Sequence, residues 1–152
     1  MTLPPVSMPR CVLDTQVLLD WVLFDDARTQ AWAQSIRQSH VAWVYCPSMR
    51  DEALRVIHYP ALARRFDPAD SAAKIDACFD RWGRCCASPP GQRRLICADP
   101  NDQMFLDLAL VQAAIALLSR DRAVLKLARS ARPLGLMIGA PEHIDAPCGS
   151  GG

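Results

Sequence analysis

Apolar positions along the chain form short continuous runs that take turns with stretches of three-and-four spacing. The runs Arg10–Leu13, Val41–Tyr45, Arg94–Cys97, Ile115–Leu118 and Leu136–Ile138 are each bounded by polar, Pro or Gly residues. Each predicts a short buried strand, because strands covered on both faces read as continuous apolar runs. Helical spacing predicts helices over Thr15–Phe24, Arg28–Ser39 and Met49–Ile57, a short piece from Tyr59, and a long one from Pro68 to Trp82. Two more are predicted over Asn101–Ala114 and Ala123–Arg129. Asp25-Asp26 and Ala87-Ser88-Pro89-Pro90-Gly91 break the pattern, and Ser48 is placed to cap the third helix. Strands alternating with helices predict an α/β fold of three layers, α/β/α, on a mainly parallel sheet of about five strands. In such sheets a ligand crevice lies beyond the carboxyl ends of the strands. Asp14 and Asp121 each follow a predicted strand and fall on that edge.

Composition adds little to this frame but excludes much. A chain of 152 residues, 51% hydrophobic and 22% charged, is one domain able to bury roughly 70% of its unfolded surface. The expected organisation is an N-terminal extension over 1–9, one domain over 10–146 and a flexible tail over 147–152. A net charge of +1 gives no global pull toward nucleic acid, so attraction would come from local pairs such as Arg64-Arg65 or Arg93-Arg94, each otherwise a solvated surface. The seven cysteines are odd in number and lack a C-x-x-C pair, which points to reduced thiols and a cytoplasmic protein. Met1 to Pro5 lack a signal-peptide layout, and no apolar run approaches a membrane span. No glycine-rich phosphate loop is present.

Chemistry concentrates in four acidic phrases: Asp14-Thr15, Asp51-Glu52, Asp99-Pro100-Asn101-Asp102 and Ser119-Arg120-Asp121. Carboxylates gathered at one sheet edge repel one another by roughly 4 kcal/mol per pair at 4 Å in a partly screened site. Protonation or a bound cation relieves that repulsion. Carboxylates without matching His or Cys suit a hard cation, Mg²⁺ or Mn²⁺, and so a metal-dependent phosphodiesterase. Asp14 and Asp121 could equally be plain helix caps. Asp51 and Glu52 stand about 100° apart on a helix, so only one can face the site. Asp99, before a proline, is a natural cap, while Asp102 can project inward. Asp107 is expected at the surface, and His40, His58 and His143 show no ligand spacing.

Taken in order, these phrases resemble those of PIN-domain nucleases, closest to the branch described as toxin components of toxin–antitoxin systems. Val12-Leu13-Asp14-Thr15 is similar to that family's opening strand and turn. Pro47 to Leu54, followed by Tyr59-Pro60, resembles its central acidic helix. Asp99-Pro100-Asn101-Asp102 to Ala109 resembles its D-P-x-D-x-x-F-L-x-x-A helix, Leu117 to Asp121 its strand-end motif, and Pro141 to Ile144 its closing phrase. The resemblance implies an acidic quartet of Asp14, Glu52, Asp102 and Asp121 that holds Mg²⁺ or Mn²⁺ and hydrolyses RNA, with Ser119, Thr15 and Asp99 in support. It also implies an antitoxin protein partner and a homodimer. Gln16 stands where the family usually has Asn, and Arg120 puts a cation beside the fourth carboxylate, able to help a phosphate or take the metal's place. Those two departures motivate an alternative, a PIN-fold protein of weak or no activity that binds nucleic acid or protein. A further reading is an interaction protein whose apolar groove between the early helices, carrying Trp21 and Trp32, receives a partner helix.

Overall fold

The computed structural model describes residues 8–149. Most of the extension expected over 1–9, and the last three residues of the expected tail, therefore lie outside the described residues. The elements run β1 (Arg10–Leu13), α1 (Thr15–Val22), α2 (Gln30–Arg37), β2 (Ala42–Tyr45), α3 (Pro47–Val56), α4 (Pro60–Ala63) and α5 (Pro68–Trp82). They continue β3 (Gly83–Cys85), α6 (Gln103–Val111), β4 (Ala116–Leu118), α7 (Arg122–Leu125), α8 (Ala128–Ala131) and β5 (Met137–Gly139). The five strands form one sheet, ordered β3-β2-β1-β4-β5 and parallel at every pairing. Helices cover both faces of it, giving the three-layer α/β/α architecture expected from the sequence.

Local chemistry explains the boundaries. Asp14, Asp67 and Asp121 accept backbone amides at the starts of α1, α5 and α7. Each relieves amides that a helix start leaves unpaired. Below α1 the chain turns through Asp25 at φ 48°, a left-handed conformation that Asp tolerates. The first turn of α3 starts differently from expectation. Cys46 is its cap residue and Pro47 its first position, so Ser48 lies inside the helix.

The third strand is also displaced. Residues 94–97 alternate buried Leu95 and Cys97 with exposed Ile96, as a strand would, but form none. Two glutamine side chains take the place of a neighbouring strand. The Leu95 amide donates to Gln92 Oε1 (2.8 Å), the Cys97 amide to Gln103 Oε1 (2.7 Å), and the Leu95 carbonyl accepts from both Nε2 groups. Those Nε2 groups also donate to Asp107 Oδ1, each at 2.9 Å, so Asp107 is buried and not at the surface. The sheet's edge is instead Gly83–Cys85, which leaves α5 with no intervening loop. Glycine is needed there, since a Cβ at Gly83 would come within 2.7 Å of Tyr45.

Trp43, Tyr45 and Phe79 form the aromatic centre of the core, with ring centroids 4.6–5.8 Å apart. Trp32 is buried and its indole N–H donates to the Ile144 carbonyl at 2.8 Å. Trp21 packs edge-on against Trp43 at 5.7 Å. Trp21 and Trp32 line a cavity of only about 10 Å³ between the early helices. Cys11, Cys46 and Cys97 are buried free thiols. Among the described residues, no helix is long and apolar enough to cross a membrane.

Strand order sets the position of the crevice. The chain steps outward from β1 to β2 and β3, then returns to β4 on the other side of β1. Connections after β1 and β4 therefore leave in opposite directions, and a cleft opens between their carboxyl ends. Asp14 directly follows β1, and Ser119 directly follows β4.

Candidate active site

Asp14, Glu52, Asp102 and Asp121 all line one cavity of about 530 Å³ at this edge. Asp14 keeps the strand pairing going for one more residue, its amide donating to the Leu118 carbonyl at 3.0 Å. Its two carboxylate oxygens are divided: Oδ1 accepts the Val17 amide at 2.9 Å and Oδ2 accepts the Ser119 hydroxyl. Ser119 in turn accepts the Asp121 amide at 3.0 Å, so one buried hydroxyl ties the ends of β1 and β4 together. Asp121 is exposed and caps α7, accepting the Ala123 amide at 2.8 Å.

Glu52 projects from α3 across the cavity, where Thr15 donates its hydroxyl to Oε2. Arg55 approaches the other oxygen only at 3.9 Å. Asp51, one position earlier, is exposed and does not line the cavity. Asp99 is the cap of the turn Pro100–Asp102, accepting the Asn101 amide at 3.0 Å, and lies off the cavity wall. Asp102 makes no capping bond of its own and faces the cavity. Of each pair, Glu52 and Asp102 are the members that line the cavity.

The electrostatics are those of an unneutralised acidic cleft. Burial pushes the Asp14 carboxyl up to about 6, with the charge of Asp121 adding and the bonds from Ser119 and Val17 opposing. Asp102 is also raised to about 6, by burial first and then by Asp121, Asp99, Asp14 and Glu52. Even the Cys97 thiol, raised mainly by burial, feels Asp102, Asp121 and Asp99.

Among the described residues, no three His, Cys, Asp or Glu side chains are grouped so as to hold a metal ion as they stand. The chemistry of the donor set nonetheless fits a hard divalent cation. Its acidic members, Asp14, Glu52, Asp102 and Asp121, are oxygen donors on one cavity, two of them with carboxyls raised to about 6 by burial and by their acidic neighbours. Ser119 and Thr15 each hold one of these carboxylates, so the donors are oriented before any ion arrives.

Arg120 does not enter this cavity. Its Nε donates to Asp20 Oδ2 at 2.9 Å and its Nη1 to Glu142 Oε2 at 2.8 Å, on the far side of the strand end. Asp20, a buried carboxylate on α1, has no place among the sequence-based candidates. The i,i+4 spacing of Gln16 and Asp20 on one helix was the available signal. Also missed are Phe24 and Leu62, which line the same cavity with Tyr59. Arg65, one of the pair the sequence offered as a local attraction for nucleic acid or a solvated surface, lines it too.

Comparison with known proteins agrees with this fold. A family model described as PIN domain matches residues 10–123. The solved structure of PAE2754 from Pyrobaculum aerophilum superposes with a TM-score of 0.58, covering 87% of this chain and 84% of that one. At 16% identity that likeness speaks to the fold alone. No curated protein matches the chain significantly.

Proposed function

The chain belongs to the PIN-domain family, which generally comprises nucleases, and we propose that it is a divalent-metal-dependent endoribonuclease. The observation that carries this reading is the convergence of Asp14, Glu52, Asp102 and Asp121 on one cavity at the switch between β1 and β4. Asp14, Asp102 and Asp121 would hold Mg²⁺ or Mn²⁺, with Glu52 assisting. Such an ion supplies charge neutralisation at the phosphate and a water of lowered pKa.

The protein's own groups do the rest. Ser119 fixes one Asp14 oxygen and Thr15 one Glu52 oxygen, so their remaining lone pairs point in set directions. Buried Leu19 and Phe105 close the floor of the cavity and lower the local dielectric.

The wider role follows the family resemblance. The chain acts in the cytoplasm as the toxin of a toxin–antitoxin pair, with residues 10–146 as the nuclease domain, as a homodimer neutralised by a protein partner. Of the two departures that motivate the inactive-module alternative, Arg120 pairs with Asp20 and Glu142 and does not line the cavity, while Gln16 does.

Incubation of the purified protein with mixed-sequence RNA in Mg²⁺, in Mn²⁺ and in chelator tests the reading. Cleavage that requires the ion and is absent from Asp14→Asn is expected. Cleavage surviving in Asp14→Asn, or in chelator, would overturn it.

A further inference from the structure

The acidic cavity has a second half that hydrolysis does not use. Besides the carboxylates it is lined by Phe24, Tyr59, Leu62 and Arg65, from the segment after α1 and from the α4 region. Tyr59 stands 52% exposed, a large aromatic ring left open at the rim. Arg65 is more telling. Its guanidinium carbon lies 5.0 Å from the Phe24 ring centre and 5.6 Å from that of Phe66. Those two rings meet edge-on at 5.2 Å. Among the described residues the Arg65 guanidinium makes no ion pair and no hydrogen bond, although four carboxylates share its cavity. Aromatic faces hold its planar cation in place, while its N–H groups stay unspent.

We propose that this lining is a nucleotide subsite beside the scissile position, in which a base stacks on Tyr59 and Leu62 while an adjoining phosphate is held by Arg65. The proposal rests on the nuclease reading of the carboxylates. Its logic is one of complementary charge. A phosphodiester chain approaching four carboxylates is repelled except where the ion lies, and Arg65 supplies the second point of attraction. The cavity's volume of about 530 Å³ is in the range of sites that enclose a small organic ligand. Phe24, Leu62, Ala61 and Val56 offer no side-chain hydrogen bond to a base edge. Stacking on a flat face selects an unpaired nucleotide over one stacked in a duplex.

The test is a binding titration in Ca²⁺ with a fluorescent mixed-sequence RNA strand, recovered intact after each run. Comparators are the same strand with abasic sugars throughout and its blunt duplex. Wild-type protein should bind the intact strand roughly tenfold more tightly than the abasic one, and more tightly than the duplex. Tyr59→Ala and Arg65→Ala should each weaken intact-strand binding about tenfold, with Arg65→Lys intermediate because it keeps charge but loses the planar stack. Both side chains are exposed, and matching thermal melts would certify the fold of each variant. Equal binding of intact and abasic strands, unchanged affinity in both alanine variants, or no binding by wild type would each overturn the subsite. Failure of the nuclease reading looks different: base-dependent binding that Tyr59→Ala and Arg65→Ala weaken, with no ion-dependent cleavage by wild type.

Discussion

Gln16 and Arg120 converge on a single carboxylate, that of Asp20. Gln16 Nε2 donates to Oδ1 at 2.9 Å and Arg120 Nε to Oδ2 at 2.9 Å. These are the two residues that depart from the pattern of the family, and the structure makes them partners through a third. Arg120 continues the chain of contacts to Glu142, which Arg28 also approaches at 3.6 Å. The network links α1, the end of β4 and the turn after β5. Since Asp121 directly follows Arg120, the same contacts set where the fourth carboxylate begins.

Removing Asp20 should therefore act on stability and on the site together. In Asp20→Ala, Arg120 keeps only Glu142, and its Nη2 is already buried without a partner. A cost of about 2–3 kcal/mol in urea unfolding is expected, somewhat below that of breaking a fully buried pair. Glu142→Gln, at the exposed end of the network, should cost less than about 1 kcal/mol.

The raised carboxyls give the ion-free protein an unusual dependence on pH. Asp14 and Asp102 titrate near 6 in the folded chain against an ordinary value of 3.8. Folded protein thus binds more protons than unfolded protein between about 4 and 6, so stability falls as pH rises through that window. Below it, the lowered carboxyls of Asp26 and Glu142 work the other way, losing their contribution as they are protonated. The melting temperature in chelator should be higher near pH 5 than at pH 7. Added Mn²⁺ should raise it at pH 7 and do progressively less below pH 6.

Ser119 bonds the Asp14 carboxylate and the Asp121 backbone amide, so its loss should be read in two ways. Ser119→Ala removes the hydroxyl bonded to Asp14 and the acceptor of the Asp121 amide. A loss of about 1–3 kcal/mol is expected from the buried groups left unpaired. Without that hydroxyl the Asp14 carboxyl should titrate above 6, and carbon-detected NMR of its side chain would follow the shift.

Much of this was legible from residue order, and the exceptions share a cause. Continuous apolar runs located β1, β2, β4 and β5, because parallel strands covered on both faces leave no alternation to misread. Position after a strand placed Asp14 and Asp121 at the crevice. What escaped depends on contacts distant in sequence. Residues 94–97 look like a strand, yet Gln92 and Gln103, both donating to Asp107, satisfy their backbone from outside the sheet. The real edge strand, Gly83–Cys85, is three mostly exposed residues with no β-branched side chain. Arg65 was indistinguishable from Arg64 until Phe24 and Phe66 came together around it.

The central claim is that these carboxylates form one cation site, and calorimetric titration of Mn²⁺ and Mg²⁺ into the purified protein tests it without any choice of RNA. Saturable binding at pH 7 that weakens below pH 6 and vanishes in Asp14→Asn is predicted. An absence of binding at millimolar ion, or equal binding by Asp14→Asn, would contradict the account.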